Sequence, residues 1–542
     1  MSALREVQFE VAPVSEYPSE PFFVEKLELK SGGLDFLGMR QATLDLRESC
    51  LPGFSNSTQF LRPFSLMCWT YWKLHALAQE QGIEPITSEQ ARAFREKVEI
   101  LFTWGHQLHN VNGLPGITAK PPNSPNAEDE RVPLTFGKWK RIPSSTGLMA
   151  AVNYGPALKT TSGFGFLNPI ASELFQPVGI GVELAKALDE SLSADSIPAS
   201  LTALNLDLGT KQDALALFKA WNISTPSKRE QSAFGRVLYE PMEAGDDSSH
   251  PQLALRSSTF DLMLAVLRSA NEVLTVKDVR RLMFLGRCAL PKLNISAAAQ
   301  AARLRWIRLQ VRQAQRLSME ALLSWVEKRI LRDGDSSTLQ LAEAADTLCK
   351  DHEKFADRDW RKYAENHAER RLEGLEDAVR FAADDQELSI LAGMDAVSEL
   401  IRKQSDQIFP VALGLLGLCR EYAELMEEIP ELRSGLRLGG SEGLSLSFWN
   451  DICWRTANLN PKEFYLMVLE ELVLSRHFAV ATRRYDGRVI RLRITVGENG
   501  LVALVPRPWR PAPALDKLES GLSLLADCGF IVRTVSGYSI AK

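Results

Sequence analysis

Arg305, Arg308, Arg312 and Arg316 recur at intervals of three and four residues, so on a helix their side chains fall within an arc of about 80°. A guanidinium is planar and donates two parallel hydrogen bonds, a geometry that phosphate accepts. Leu304, Ile307, Val311, Ala314, Ala321 and Trp325 lie on the far side and would bury it. This pattern predicts a polyanion-binding helix over 297–330. Four phosphate contacts would make log affinity fall with log salt at a slope of roughly −3 to −4. The same stripe also suits a solvated face or internal ion pairs. Residues 280–332 hold twelve Lys/Arg against two Asp/Glu, and residues 333–400 hold eight against eighteen. Two expectations follow, a polyanion surface or an internal clasp between basic and acidic segments.

A second arginine group lies near the C-terminus. Arg483, Arg484, Arg488, Arg491 and Arg493 surround an expected hairpin at Asp486-Gly487, a strong turn signal. Arg491 and Arg493 would share one strand face, alternating with Leu492 and Ile494. Arg483, Arg484, Arg491 and Arg493 thus join the four helix arginines as candidate nucleic-acid contacts; charge that keeps an exposed edge soluble is the plainer reading.

Other chemistry finds less support. His106 and His109 are three apart, a spacing that can place two imidazoles on one metal, but no carboxylate or cysteine nearby completes the set. Core or capping roles are expected, and no metal or cofactor. Gly439-Gly440-Ser441-Glu442-Gly443 matches the G-x-S-x-G pattern but sits in a linker, not between a strand and a helix. Glu28-Leu29-Lys30 is half of a metal-dependent nuclease core without its strand-borne aspartate. No phosphate-binding glycine loop, dinucleotide fingerprint or H-E-x-x-H motif is present. The reading is a non-enzyme, with a cryptic nuclease effector as a remaining alternative.

The elements that must position these residues are mainly helical. After an extended arm over 1–33, Ser55-Asn56-Ser57 reads as an N-cap cluster for an aromatic helix carrying Phe60, Phe64, Trp69, Tyr71 and Trp72, apolar all round and so buried. Thr87-Ser88-Glu89-Gln90 predicts a capping box opening a helix to about Leu108. A long loop at 111–146 follows, then a helix, a Gly-rich hairpin and a helix over 147–192. Residues 252–430 show long 3.6-residue periodicity, with Gly334 and Gly393 as candidate breaks. The Gly-rich stretch 434–443 reads as a linker. The end expects a helix over 461–475 with Pro461 at its first position, strands over 478–484, 489–496 and 501–505, a helix over 515–526 and a hairpin over 530–540.

At 542 residues the chain is too long for one core. The predicted fold class is mainly α and multidomain: a helical N-terminal domain (34–250), a long-helix middle domain (251–433), a linker and packing segment (434–460), and a small α+β, winged-helix-like module (461–542). Seven scattered cysteines without a C-x-x-C pair point to a reducing compartment. No apolar run approaches the roughly 18–20 residues that span a bilayer, and Met1–Glu10 carries no signal-peptide core. These features predict a cytoplasmic protein with no membrane partner.

The window Leu34-Asp35-Phe36-Leu37-Gly38-Met39-Arg40, Leu51-Pro52-Gly53-Phe54-Ser55-Asn56-Ser57-Thr58, Arg62-Pro63-Phe64 and Trp69 resembles the N-terminal block of uncharacterised bacterial proteins of anti-phage defence and restriction clusters. The resemblance spans about 40 residues and carries no catalytic motif. It implies an accessory role in a defence complex beside subunits such as a helicase, nuclease or ATPase. Together these readings expect a protein that binds nucleic acid, DNA rather than RNA, with a protein–protein scaffold held by the charge clasp as the alternative.

Overall fold

A computed structural model describes residues 28–29, 35–55, 57–122, 129–140, 146–160, 163–192, 197–241, 251–351, 374–384, 389–436, 444–456, 458–485 and 489–540. Outside them lie most of the expected 1–33 arm, Lys30, the turn at Asp486-Gly487, Arg488, the Gly439–Gly443 match and residues 352–373 of the acidic segment. The fold is mainly helical and multidomain, as the periodicity predicts.

In chain order, strand β1 (Glu28–Leu29) precedes helices α1 (Arg40–Cys50), α2 (Arg62–Glu80) and α3 (Ser88–Leu108). Helix α2 is the buried aromatic helix. Phe64, Trp69 and Tyr71 are fully buried, and Pro63 sits in the first turn, where its missing N–H costs nothing. The expected N-cap does not form. The helix starts at Arg62, Thr58 Oγ1 donates instead to Ser55 O at 2.9 Å, and the Leu61 N–H is taken by Asp527 Oδ2 at 2.9 Å. The Thr87–Gln90 capping box opens α3 as expected.

A hairpin of β2 (Leu167–Ala171) and β3 (Leu174–Pro177) leads into α4 (Ile180–Asp189), which packs on α2. The hairpin falls just after Gly163–Phe166, where it was expected; Phe164 and Phe166 instead pack with Phe64 and Phe234.

After two shorter helices, Lys211–Trp221 and Lys228–Leu238, come α5 (Pro251–Ala270), α6 (Val276–Leu285) and α7 (Ala297–Asp333), a helix of 37 residues. Beyond a helix over Thr338–Asp351, α8 (Leu375–Asp384), α9 (Ile390–Lys403) and α10 (Ile408–Glu427) follow. Gly334, at φ +83°, ends α7 as expected. Gly393 is no break: it lies inside α9, where a Cβ would stand 2.7 Å from Leu415 Cδ1. It permits close helix packing.

Helix α11 (Pro461–Met467) starts at an Asn460 capping box. The helical path then continues through a π-type stretch, Val468–Leu474, to Ser475–Arg483. The strand expected at 478–484 is thus a helix. His477, Val480 and Ala481 are buried at helical spacing; over so short a window alternation and 3.6-residue periodicity look alike. Strand β4 (Val489–Ile490) pairs parallel with β1, and β5 (Ile494–Gly497) forms a hairpin with β6 (Gly500–Ala503). Helix α12 (Leu518–Asp527) and the hairpin of β7 (Ile531–Thr534) and β8 (Gly537–Ile540) close the chain.

The C-terminal α+β module resembles a winged-helix unit, and α12 with its hairpin completes that likeness using earlier elements. Leu274, between α5 and α6, exchanges backbone hydrogen bonds with Tyr538 of β8 at 2.8 and 2.9 Å. The resulting order is helix, a one-residue β-bridge, helix, helix, hairpin, with residues 286–517 inserted before the third helix.

Two hydrophobic cores result, and they do not follow the sequence boundaries at 251 and 461. The first gathers α2, α3, α5 and α6 with Leu518, Leu522, Leu525 and Tyr538. The second gathers Phe36 and Met39 with α9, α10, Phe464 and Leu501. Helix α7 runs between them: Trp306 and Leu309 enter the first core, and Ile307, Val311 and Leu317 the second. From Trp306 to Glu327 every residue is buried.

Candidate nucleic-acid interface

Because both flanks of α7 are covered, its arginine stripe is internal. Arg308, Arg312 and Arg316 are 6%, 1% and 5% exposed, and Arg305 is half-buried. Arg305 donates to Ser258 Oγ at 2.8 Å and Arg308 to Leu432 O at 3.2 Å. Arg312 donates to Leu444 O and, at 2.7 Å, to Gln315 Oε1. Arg316 donates to Ala512 O at 2.8 Å and pairs with Glu320 at 3.2 Å. The carbonyl acceptors lie on segments that return to α7 from distant parts of the chain, and buried carbonyls require donors. A guanidinium reaches several acceptors from one long stem. The expectation that this stripe holds phosphate is corrected: these groups fasten chain to chain.

The electrostatics agree with burial. Desolvation lowers the pKa of Arg305 and Arg308, and of Arg312 to about 10. Glu320 is pushed up to about 8 by its own burial, against the pull of Arg316. Farther along α7, Ser324 Oγ donates to Trp509 O at 2.6 Å. Glu327, fully buried, accepts from Arg493 Nη2 at 3.0 Å and from the Trp509 N–H at 2.5 Å. Burial raises the Glu327 pKa, with Arg493 acting the other way. Arg493 is thus also a correction: it is 6% exposed, bound to Glu327, and stacked 4.9 Å over Phe36.

Part of the expected clasp is present. Arg303 pairs with Glu376 of α8, whereas Lys328 and Arg332 both pair at 2.6 Å with Asp406, which lies beyond the 333–400 segment.

The remaining candidates stand at the surface. Arg483, Arg484 and Arg491 are exposed; Arg484 pairs with Asp35 at 2.8 Å. Two arginines that the pattern search missed, Arg507 and Arg510, are exposed as well. They sit in Pro506–Pro513, whose four prolines forbid regular helix. The Arg507 carbonyl lies 3.4 Å from Arg493 Nη2, which sets that segment beside the β5 strand. Extending the arginine count past 493 would have found both. Residues 483–510 hold seven arginines against Asp486 and Glu498.

Helix α12 stands where a winged-helix unit carries its groove-reading helix, yet of its ten residues only Glu519 is exposed. Its Gly521 packs against Phe260 and Leu51. That face is committed to the first core.

His106 is a core histidine, as expected. Its Nδ1 lies 2.7 Å from Phe102 O, its Nε2 accepts from the Ile223 N–H at 3.2 Å, and burial lowers its pKa to about 4. His109 stacks on Phe218 at 3.8 Å. Among the described residues no group of three His, Cys, Asp or Glu could hold a metal ion, and no helix is long and apolar enough to cross a membrane. No protein-family model matches the chain, and neither a curated protein nor a solved structure matches it.

Proposed function

We propose that this protein is a non-enzymatic nucleic-acid-binding component whose phosphate contacts are the exposed arginines of residues 483–510, with DNA preferred over RNA. One observation carries the reading: Arg483, Arg491, Arg507 and Arg510 are exposed in a stretch almost without carboxylates, while Arg484 is paired with Asp35. The Arg493–Glu327 pair ties that stretch to α7, so the arginines are carried on a fixed base. The winged-helix-like unit, a common nucleic-acid-binding architecture, supports the same reading. The proposed contact differs from groove insertion, because α12 is covered. Phosphate contacts without groove insertion favour backbone binding with little sequence preference. The N-terminal resemblance supports placing this activity in a bacterial anti-phage defence complex, beside a helicase, nuclease or ATPase subunit.

A scaffold is the second reading, favoured by the Arg303–Glu376 and Arg332–Asp406 pairs and by the buried arginine stripe. Fluorescence anisotropy with a labelled duplex, titrated across salt, separates the two. Binding with a log–log slope of roughly −3 to −4, abolished by joint Arg491→Glu, Arg507→Glu and Arg510→Glu changes, is expected. Absence of any salt-sensitive binding would leave the scaffold.

A further inference from the structure

Between the two cores lies a cleft of about 370 Å³, walled by α6, α7, the start of α9 and the segment 513–516. Clefts at such junctions are common ligand sites, and this volume is at the small end of their range. Its polar groups divide into two sets.

The first set is cationic. Lys277 pairs with Asp395 at 2.6 Å, and Arg280 donates to both oxygens of Asp516. Arg281 lines the same cleft and has no carboxylate partner among the described residues. Three cations against two carboxylates leave one positive charge. Helix α9 adds to it. Ser389 Oγ accepts only the Ala392 N–H, at 3.4 Å, and the Ile390 and Leu391 N–H groups have no acceptor among the described residues. Such a helix start favours an anion.

The second set is neutral. Gln310 reaches Asp516 at 3.4 Å. Gln313 is 2% exposed, lines the cleft, and makes no hydrogen bond among the described residues. Its amide therefore faces the cleft, where a ligand that donates and accepts side by side can take the place of water. Leu391, Met394 and Leu515 supply apolar wall.

We infer that this cleft binds a nucleoside monophosphate, its phosphate at Arg281 and the start of α9 and its base edge on Gln313. An amide side chain pairs with the adjacent donor and acceptor of a nucleobase edge. This site is separate from the arginines of residues 483–510 and does not depend on them.

The test is calorimetric titration of the full chain with AMP, GMP, CMP and UMP, with the matching nucleosides, and with inorganic phosphate, all without nucleic acid. At least one monophosphate should bind. Its Kd should rise roughly tenfold or more for Arg281→Ala, a surface change that spares folding, and also for Gln313→Leu. The inference is overturned if no monophosphate binds. It is equally overturned if phosphate alone or a nucleoside alone binds as tightly, or if Arg281→Ala changes nothing. Any of these results leaves duplex binding through Arg491, Arg507 and Arg510 unaffected.

Discussion

Replacing Arg493 with Leu tests whether this residue holds the fold or a ligand. The guanidinium and its Glu327 partner are 8% and 0% exposed at the side chain. Removing the arginine leaves a buried carboxylate with the Trp509 N–H as its remaining donor among the described residues. Breaking a buried pair from one side costs about 3–5 kcal/mol, because the stranded charge must be neutralised or hydrated. In the Glu327→Leu/Arg493→Leu double variant neither charge remains, and the chief deficit is the orphaned Trp509 N–H, about 1–3 kcal/mol. The double variant should therefore be more stable than Arg493→Leu alone. Urea unfolding followed by far-UV circular dichroism gives all corners of the cycle, with a coupling of about 2 kcal/mol or more expected. A cost below about 1 kcal/mol for Arg493→Leu, or strict additivity, would refute the reasoning and return Arg493 to the ligand surface.

Glu320 gives a pH prediction. Its folded pKa of about 8 lies above its ordinary 4.5, so its contribution to stability is complete below about pH 4.5 and lost as pH rises through 8. Glu320→Gln should remove that decline, and parallel stability curves for the two proteins between pH 5 and 9 would contradict it. Cys50, Cys68 and Cys419 are buried with raised pKa values; a thiol reagent should leave them unmodified until urea unfolds the chain, whereas rapid native labelling would mean the cores open easily. Thr87→Ala breaks the capping box of α3 and should cost about 1 kcal/mol in the same unfolding assay.

The helical class, the Thr87 cap, Pro461 at the first position of its helix, the Gly334 stop and the final hairpin were legible because each is a local signal. The fate of the arginine stripe was not. Periodicity reports that one face of α7 differs from another, but a helix covered by two cores buries both, and only tertiary packing decides that. The clue in the sequence was negative: Trp306 and Leu309 lie outside the apolar stripe that faces the second core. Likewise, α5, α6 and α12 form one unit across residues 286–517, and no local pattern joins segments so far apart. At the candidate interface the exposed Arg483, Arg484 and Arg491 were found by counting charge. Arg493 differs from them through Glu327, 166 residues away.

The central claim is that the α7 arginines hold the chain together while surface arginines meet the ligand. Arg308→Lys/Arg312→Lys tests it directly, with melting temperature and duplex affinity measured on the same sample. Lysine keeps the charge that attracts phosphate but lacks the fork that reaches several carbonyls. The account predicts a lower melting temperature with duplex affinity unchanged. An unaltered melting temperature with weakened duplex binding would contradict it.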